Sequence, residues 1–162
     1  MLGLFEFYAF PQQRQPQVMN QIQPFPLWLG SIGDLRDVRR LYEVEIRAVV
    51  QLAHEEALVS LPRDFIVCRV PLVDGPENDA DLLRLAVDTV TRLLQGKFAT
   101  LVCCQAGASR SPAIAAAALA RLTDDPFMVC VDRIRKCRPV DIHAGLLAHL
   151  CRLFETEPTD TP

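Results

Sequence analysis

Strand-like and helix-like segments alternate along most of this chain. The apolar runs at residues 48–52 and 65–70 are typical of strands, whereas residues 81–95 carry apolar side chains at the three- and four-residue spacing of a helix buried on one face. This alternation predicts an α/β fold with one sheet and helices around it. A length of 162 residues fits one such domain and leaves no room for a second full domain.

The other elements follow the same pattern. We expect Asp34 to cap a helix that carries Leu35, Val38, Leu41 and Tyr42 on one face. Gly96 is expected to end the helix at residues 81–95. Further strands are predicted at residues 27–29 and 100–103, and further helices at residues 112–122, 127–137 and 146–154.

The chain ends differ from its middle. Residues 1–24 combine four early aromatic side chains with a stretch rich in glutamine and proline. We interpret them as an N-terminal arm whose aromatics pack on the domain, the alternative being a contact with a partner or a second copy. Residues 25–155 are predicted to form the main domain and residues 156–162 a C-terminal tail. The early aromatics are Phe5, Phe7, Tyr8 and Phe10.

Composition and charge exclude several classes of protein. A net charge of −3 provides no electrostatic footprint for nucleic acid. The longest apolar run, residues 113–120, is too short to span a membrane, and the first residues do not resemble a secretory signal. The six cysteines lie in apolar contexts, which favours buried thiols in a reducing cytoplasm over a disulfide framework.

The most informative segment is the stretch of residues 100–112, TLVCCQAGASRSP. It combines a buried strand, a loop of small residues and a helix start, with Cys104 and Arg110 separated by five residues. Gly107 falls at the third position after the cysteine, and two of the four serines of the chain flank Arg110. Chance placement does not account for all of these features together.

This pattern favours the binding of an anion beside a reactive thiol. Successive backbone N–H groups in such a loop form a concave anion site, and the helix that follows adds its positive end. Arg110 can bind a phosphate through two parallel hydrogen bonds. The same positive field stabilises a thiolate at Cys104, and Gly107 lets the backbone turn inward where a side chain would obstruct the anion.

The segment resembles the Cys-x5-Arg signature loop of the cysteine-dependent protein phosphatases, and it is most similar to the small dual-specificity phosphatases. Residues 26–31 resemble the opening strand of that family, residues 70–74 its acid-loop strand, and residues 138–150 its closing helical segment. The resemblance covers roughly residues 24–155. It implies a phosphatase-like fold with a central mixed, mostly parallel sheet flanked by helices.

The resemblance also implies roles for individual residues. Cys104 would attack phosphorus and form a phosphocysteine, Asp74 would be the general acid, and the hydroxyl of Ser111 would help the sulfur to leave. No metal or other cofactor is required. The amides of the loop and the guanidinium of Arg110 would hold the phosphoryl oxygens, a set that comprises Gln105, Ala106, Gly107, Ala108, Ser109 and Arg110.

The assignment of Asp74 has competitors. It lies in an Asp-Gly-Pro sequence, which is common in turns. Glu77, Asp79 and Asp81 are neighbouring carboxylates, although Asp79 or Asp81 is better explained as a helix cap.

Two positions depart from the family pattern. Cys103 stands where the family usually has histidine before the catalytic cysteine, and residues 142–143 are Ile-His where Pro-Asn is common. Cys103 is expected to be a buried packing residue, because successive strand side chains point to opposite faces. Cys68 is then the expected resolving thiol for an oxidised Cys104. His143 is expected to start a helix.

The variable loop positions, Gln105, Ala106 and Ala108, carry no basic side chain, which favours a singly phosphorylated group. A phosphoprotein substrate fits best, with phosphotyrosine and phosphoserine or phosphothreonine left open. Two alternatives remain, a non-catalytic phosphopeptide-binding module and a rhodanese-like sulfurtransferase.

Overall fold

The structure, a computed structural model, describes residues 18–155. These residues form five strands, five α-helices and one short 3₁₀ helix at Ile32–Arg36. The strands are β1 (Asn20–Gln21), β2 (Leu27–Ser31), β3 (Ala48–Ala53), β4 (Ile66–Leu72) and β5 (Thr100–Cys104). The α-helices are α1 (Val38–Glu43), α2 (Ala80–Gln95), α3 (Arg110–Thr123), α4 (Phe127–Cys137) and α5 (Ala144–Phe154).

The five strands form one sheet in the order β1-β2-β5-β3-β4. β5 is parallel to both of its neighbours, with Leu29 and Val50 opposite Val102, and β4 is parallel to β3. Only β1 runs antiparallel to its neighbour among the described strands. The predicted fold class, a mixed and mostly parallel sheet flanked by helices, is therefore confirmed. Its four parallel strands all end at one edge of the sheet.

Apolar side chains cover both faces of the sheet. The larger core lies between the sheet and helices α2 to α5, and it includes Val102 and Cys104 of β5. The smaller core lies on the opposite face and includes Leu101 and Cys103. Successive side chains of β5 point into the two cores in turn, as strand geometry requires. Every residue of this strand is therefore buried.

Two N-terminal features differ from the sequence-based expectation. Asp34 does not cap a single helix: its carboxylate accepts hydrogen bonds from the backbone N–H groups of Ser31 and Met19, and Asp37 caps α1 instead. Within the predicted arm, residues 18–24 belong to the folded domain, because β1 pairs with β2 and both Met19 and Ile22 are buried. The four early aromatics and the predicted C-terminal tail lie outside the described residues.

The cysteines are less uniformly buried than their sequence contexts suggested. All six are free thiols; Cys103, Cys104 and Cys130 are buried, Cys68 and Cys151 are half-buried, and Cys137 is exposed. Exposure of Cys137 is explained by its place at the last residue of α4, where the helix leaves the core.

Cys103 is the buried packing residue that the sequence predicted. Its thiol lies 3.6 Å from the carbonyl oxygen of Val50, and burial raises its pKa. The expectation that Cys68 resolves an oxidised Cys104 is wrong on geometry. β3 separates β4 from β5, which places the two backbones about 10 Å apart. A disulfide requires Cα atoms within about 7 Å.

Candidate active site

The site lies at the sheet edge where the parallel strands end. Cys104 is the last residue of β5, Glu55 follows β3 by two residues, and Asp74 follows β4 by two residues. β5 lies between β2 and β3, so the loops after these strands surround the end of β5. In open α/β sheets, ligands bind outside the carboxyl ends of the strands. The topology therefore brings together residues that are far apart in the sequence.

The loop from residue 105 to residue 109 turns the chain from β5 into α3. The Sγ atom of Cys104 is 3.4 Å from the hydroxyl oxygen of Ser111, and both residues are buried. Gly107 adopts a φ of +71°, a left-handed conformation that favours glycine. A Cβ atom there would lie 2.6 Å from the carbonyl oxygen of Gly30. Only glycine fits this turn without displacing β2.

Arg110, the first residue of α3, is fixed by partners that the sequence did not reveal. Its Nη1 atom donates to Oε2 of Glu55 at 2.6 Å and to the carbonyl oxygen of Leu72 at 2.9 Å, while Nη2 donates to Oε1 of Glu55. The residue is 3% exposed, and its Nε atom has no hydrogen-bond partner among residues 18–155. The fork to Glu55 thus orients the guanidinium and leaves the Nε hydrogen without a partner in the described residues.

The hydrogen bonds from Arg110 lower the pKa of Glu55 to about 2. A lowered folded-state pKa means that the pair stabilises the fold above the ordinary glutamate value and loses this contribution as the pH falls towards 2. We expect Glu55→Gln to reduce stability most at neutral pH. Because the Glu55 side chain is 42% exposed, the electrostatic difference should be about 1 kcal/mol or less.

Urea unfolding between neutral pH and about pH 2.5 measures this effect. The difference in the free energy of unfolding between the native chain and Glu55→Gln should narrow below pH 4.5, the ordinary pKa of a glutamate side chain in the unfolded chain. Glu56→Gln is the matched control, since the neighbouring Glu56 makes no described ion pair. A gap that is constant with pH would show that the Glu55 charge contributes nothing.

Asp74 contacts the loop directly, unlike its rival carboxylates. Its Oδ1 atom accepts a hydrogen bond of 2.5 Å from the hydroxyl of Ser109. Asp79 caps α2 by accepting from the N–H groups of Asp81 and Leu82, as the sequence suggested for one of these residues. Asp81 pairs with Arg84 on the surface, and Glu77 is exposed. The structure therefore brings Asp74, and not Glu77, Asp79 or Asp81, to the loop at residues 105–109.

The segment around Asp74 is held by two further residues, Asn78 and Pro76. Asn78 is buried, and its side-chain amide bonds both the N–H and the carbonyl of Val73 and also the carbonyl of Gly75. Pro76 packs so closely on the start of α5 that a Cβ at Gly145 would lie 2.8 Å from it. These contacts hold the segment that carries Asp74 in place.

The segment before α5 supports the loop from the other side. The N–H of Asp141 donates to the carbonyl of Ala108 at 2.8 Å. Arg138 is buried and donates to the carbonyl of Leu29 at 2.6 Å and to the side chain of Asn20 at 3.0 Å. Burial lowers the pKa of Arg138. His143 caps α5 through its Nδ1 atom, as expected, and its backbone N–H reaches the hydroxyl of Ser109.

Sequence reasoning brought Cys104, Arg110, Asp74 and Ser111 to one site but missed Glu55, Asn78 and Arg138. Glu55 carried a usable signal, because it is an acidic residue immediately beyond a buried strand that ends at the same edge as β5. Asn78 and Arg138 carried none, since polar residues in connecting segments are expected to be exposed.

Other kinds of site are not evident in the described part of the chain. Within residues 18–155, no three histidine, cysteine, aspartate or glutamate side chains are grouped as metal ligands. No helix in the same range has both the length and the apolar character to cross a membrane.

No protein-family model matches the chain, and a comparison with curated proteins finds no relative. Among solved structures, human DUSP28 is 22% identical with a TM-score of 0.77, over 87% of this chain and 95% of the other.

Two further structures extend the comparison. OH1 from the Orf virus, described as a tyrosine phosphatase with triple substrate specificity, is 24% identical with a TM-score of 0.73, over 92% of this chain and 93% of its own. The human tyrosine phosphatase-like serine/threonine/tyrosine-interacting protein is 19% identical with a TM-score of 0.71, over 83% of this chain and 93% of its own. The chain therefore has the fold of the dual-specificity phosphatases.

Proposed function

We propose that the chain is a cysteine-dependent protein phosphatase that removes phosphate from phosphotyrosine, phosphoserine or phosphothreonine side chains. One observation carries the proposal: the buried Cys104 thiol and the fixed guanidinium of Arg110 occupy the two ends of the same loop, at the carboxyl end of the central strand. A nucleophile and an oriented cation on either side of an anion-binding loop suit phosphoryl transfer, where positioning and charge stabilisation dominate. The shared fold supports this assignment.

In the first step, the thiolate of Cys104 attacks phosphorus as the bond to the leaving oxygen breaks. The loop amides and Arg110 hold the three remaining phosphoryl oxygens. Asp74, in its protonated form, transfers its proton to the leaving oxygen, so that the protein side chain departs as an alcohol or phenol. The product bound to the protein is a phosphocysteine.

In the second step, water attacks the phosphorus of this intermediate. Asp74 accepts a proton from the water, the phosphorus–sulfur bond breaks, and inorganic phosphate and the Cys104 thiolate are released. Ser111 suits the support of this step, because its hydroxyl is 3.4 Å from Sγ and can donate to the developing sulfur charge. The sequence of steps needs no metal ion.

The charges near the loop bear on the substrate. Arg110 is the one basic residue among residues 104–110, and its charge is already balanced in part by Glu55. Asp74 adds a further carboxylate next to the loop, where it contacts Ser109. Such a site is suited to a single phosphoryl group on a protein side chain, and it disfavours heavily phosphorylated ligands through charge repulsion.

The assay is hydrolysis of p-nitrophenyl phosphate and of phosphotyrosine and phosphothreonine peptides in the presence of EDTA. We expect phosphate release from the aryl phosphate and from at least one peptide. Saturable binding of a phosphotyrosine peptide without release would instead identify a phosphopeptide-binding module. Thiocyanate formation from thiosulfate and cyanide, with no phosphate release, would identify a sulfurtransferase.

Replacement of Asp74 by asparagine tests the general acid. A basic leaving oxygen needs a proton, whereas p-nitrophenolate departs without one, so the loss depends on the substrate. We expect Asp74→Asn to slow phenyl phosphate hydrolysis by about 10²-fold or more and p-nitrophenyl phosphate hydrolysis far less. The exposed Glu77, in the variant Glu77→Gln, is the control. Equal losses on both substrates would show that Asp74 has a structural role.

A further inference from the structure

The hydroxyl of Ser109 joins three parts of the site. It donates a hydrogen bond to Oδ1 of Asp74 at 2.5 Å and accepts one from the backbone N–H of His143 at 2.9 Å. Ser109 itself is in the phosphate-binding loop and is only 7% exposed. A single side chain therefore connects the acid loop after β4, the loop after β5 and the start of α5.

The direction of these bonds is determined by their chemistry. A backbone N–H can only donate, so the Ser109 oxygen is the acceptor from His143. The one hydroxyl hydrogen of Ser109 is then free to point at the Asp74 carboxyl group. A carboxyl group has two oxygens, so occupation of Oδ1 by Ser109 leaves Oδ2 for a leaving oxygen.

We propose that Ser109 is the positioning residue of the general acid, and that its hydroxyl holds Asp74 with one carboxyl oxygen directed to the leaving group. This inference rests on the proposed phosphatase function. It goes beyond the assignment of Ser109 to phosphate binding, which uses the backbone amide and would be retained by alanine. The role is specific to the side chain.

Competing supports of the acid loop do not replace this contact. Asn78 fixes the backbone at Val73 and Gly75, and Pro76 packs on Gly145, but neither contact reaches the Asp74 carboxyl group. An exposed aspartate with a fixed backbone still samples several side-chain rotamers. The hydrogen bond from Ser109 selects one of them.

The test is Ser109→Ala, assayed on phenyl phosphate and p-nitrophenyl phosphate, with the exposed serine variant Ser60→Ala as the matched control. We expect a loss of about 10-fold on phenyl phosphate and a much smaller loss on p-nitrophenyl phosphate. Competitive inhibition by inorganic phosphate should be unchanged, because the loop amides remain. In the Asp74→Asn background, Ser109→Ala should cause no further loss on phenyl phosphate, because Ser109 acts through Asp74.

Several results would overturn the inference. Equal losses on the two substrates, weaker inhibition by phosphate, or losses that multiply in the double variant would each show that Ser109 supports the loop and not the acid. Activity of Ser109→Ala equal to that of Ser60→Ala would also reject its role while leaving the phosphatase function intact. Absence of turnover in the unmodified protein would reject the phosphatase function itself.

Discussion

Replacement of Cys104 by serine is expected to reduce the hydrolysis of p-nitrophenyl phosphate by on the order of 10³-fold or more. A serine hydroxyl is far less acidic than a thiol, so the attacking anion is almost absent at neutral pH. The loop amides and Arg110 are unchanged, so binding of inorganic phosphate, measured by calorimetry, should persist. Initial rates for both proteins in EDTA provide the measurement.

The exposed Cys137 supplies the control for this experiment. Cys137→Ser removes one thiol from the end of α4, and it should leave turnover at the level of the unmodified protein. Comparable activity of Cys104→Ser and Cys137→Ser would exclude a phosphocysteine and reject the proposed mechanism. If an inactive Cys104→Ser still binds phosphate, its loss of activity comes from the missing nucleophile and not from unfolding.

Gly107→Ala is expected to impair both stability and activity. The added methyl group would lie 2.6 Å from the carbonyl oxygen of Gly30, and the φ of +71° is itself unfavourable for alanine. Such backbone strain costs about 1–3 kcal/mol. Relief of the clash would move the loop away from β2 and misplace the proposed phosphate site, with an expected activity loss of about 10²-fold. Thermal unfolding and kcat/KM measure the two effects.

Gly33 provides a matched glycine for comparison. Its φ is not in the left-handed range, and a Cβ there would meet only the Ser31 hydroxyl oxygen, at 3.4 Å. Gly33→Ala should therefore leave the midpoint of thermal unfolding and the value of kcat/KM close to those of the unmodified protein. A Gly107→Ala variant that behaved like Gly33→Ala would contradict the close approach of the loop to β2.

The parts of the fold that were predictable from sequence are those governed by local pattern. The stripe of apolar residues within residues 81–95 predicted α2 to within one residue at its N-terminal end, and the periodicity at residues 127–137 predicted α4. Asp34 misled because Asp34 and Asp37 are both sound helix-capping residues. Asp34 lies within the 3₁₀ helix, where it completes a capping box with Ser31, and Asp37 caps α1. β1 was not predicted, because a strand of two residues is too short to show an alternation of apolar and polar side chains.

The residues of the site were likewise predictable where they lie close together in the sequence and not where their contacts are non-local. Cys104, Gly107, Arg110 and Ser111 lie within one contiguous loop and helix start, where spacing alone reveals their arrangement. Glu55 is separated from Arg110 by 55 positions, and their contact depends on the order of the strands. The Ser109 contact with Asp74 depends equally on that order. Non-local pairings of this kind are not encoded in a local pattern of residues.

The position of β5 has a consequence for the way in which this chain is synthesised. β2 and β3 precede β5 by many residues but are held apart by it in the sheet. Until residues 100–104 leave the ribosome, the facing edges of β2 and β3 have unpaired backbone groups and the larger core is open. A nascent chain that has reached only α2 should therefore be a target for chaperones and proteases. Protection should begin abruptly once β5 and the buried helix α3 have emerged.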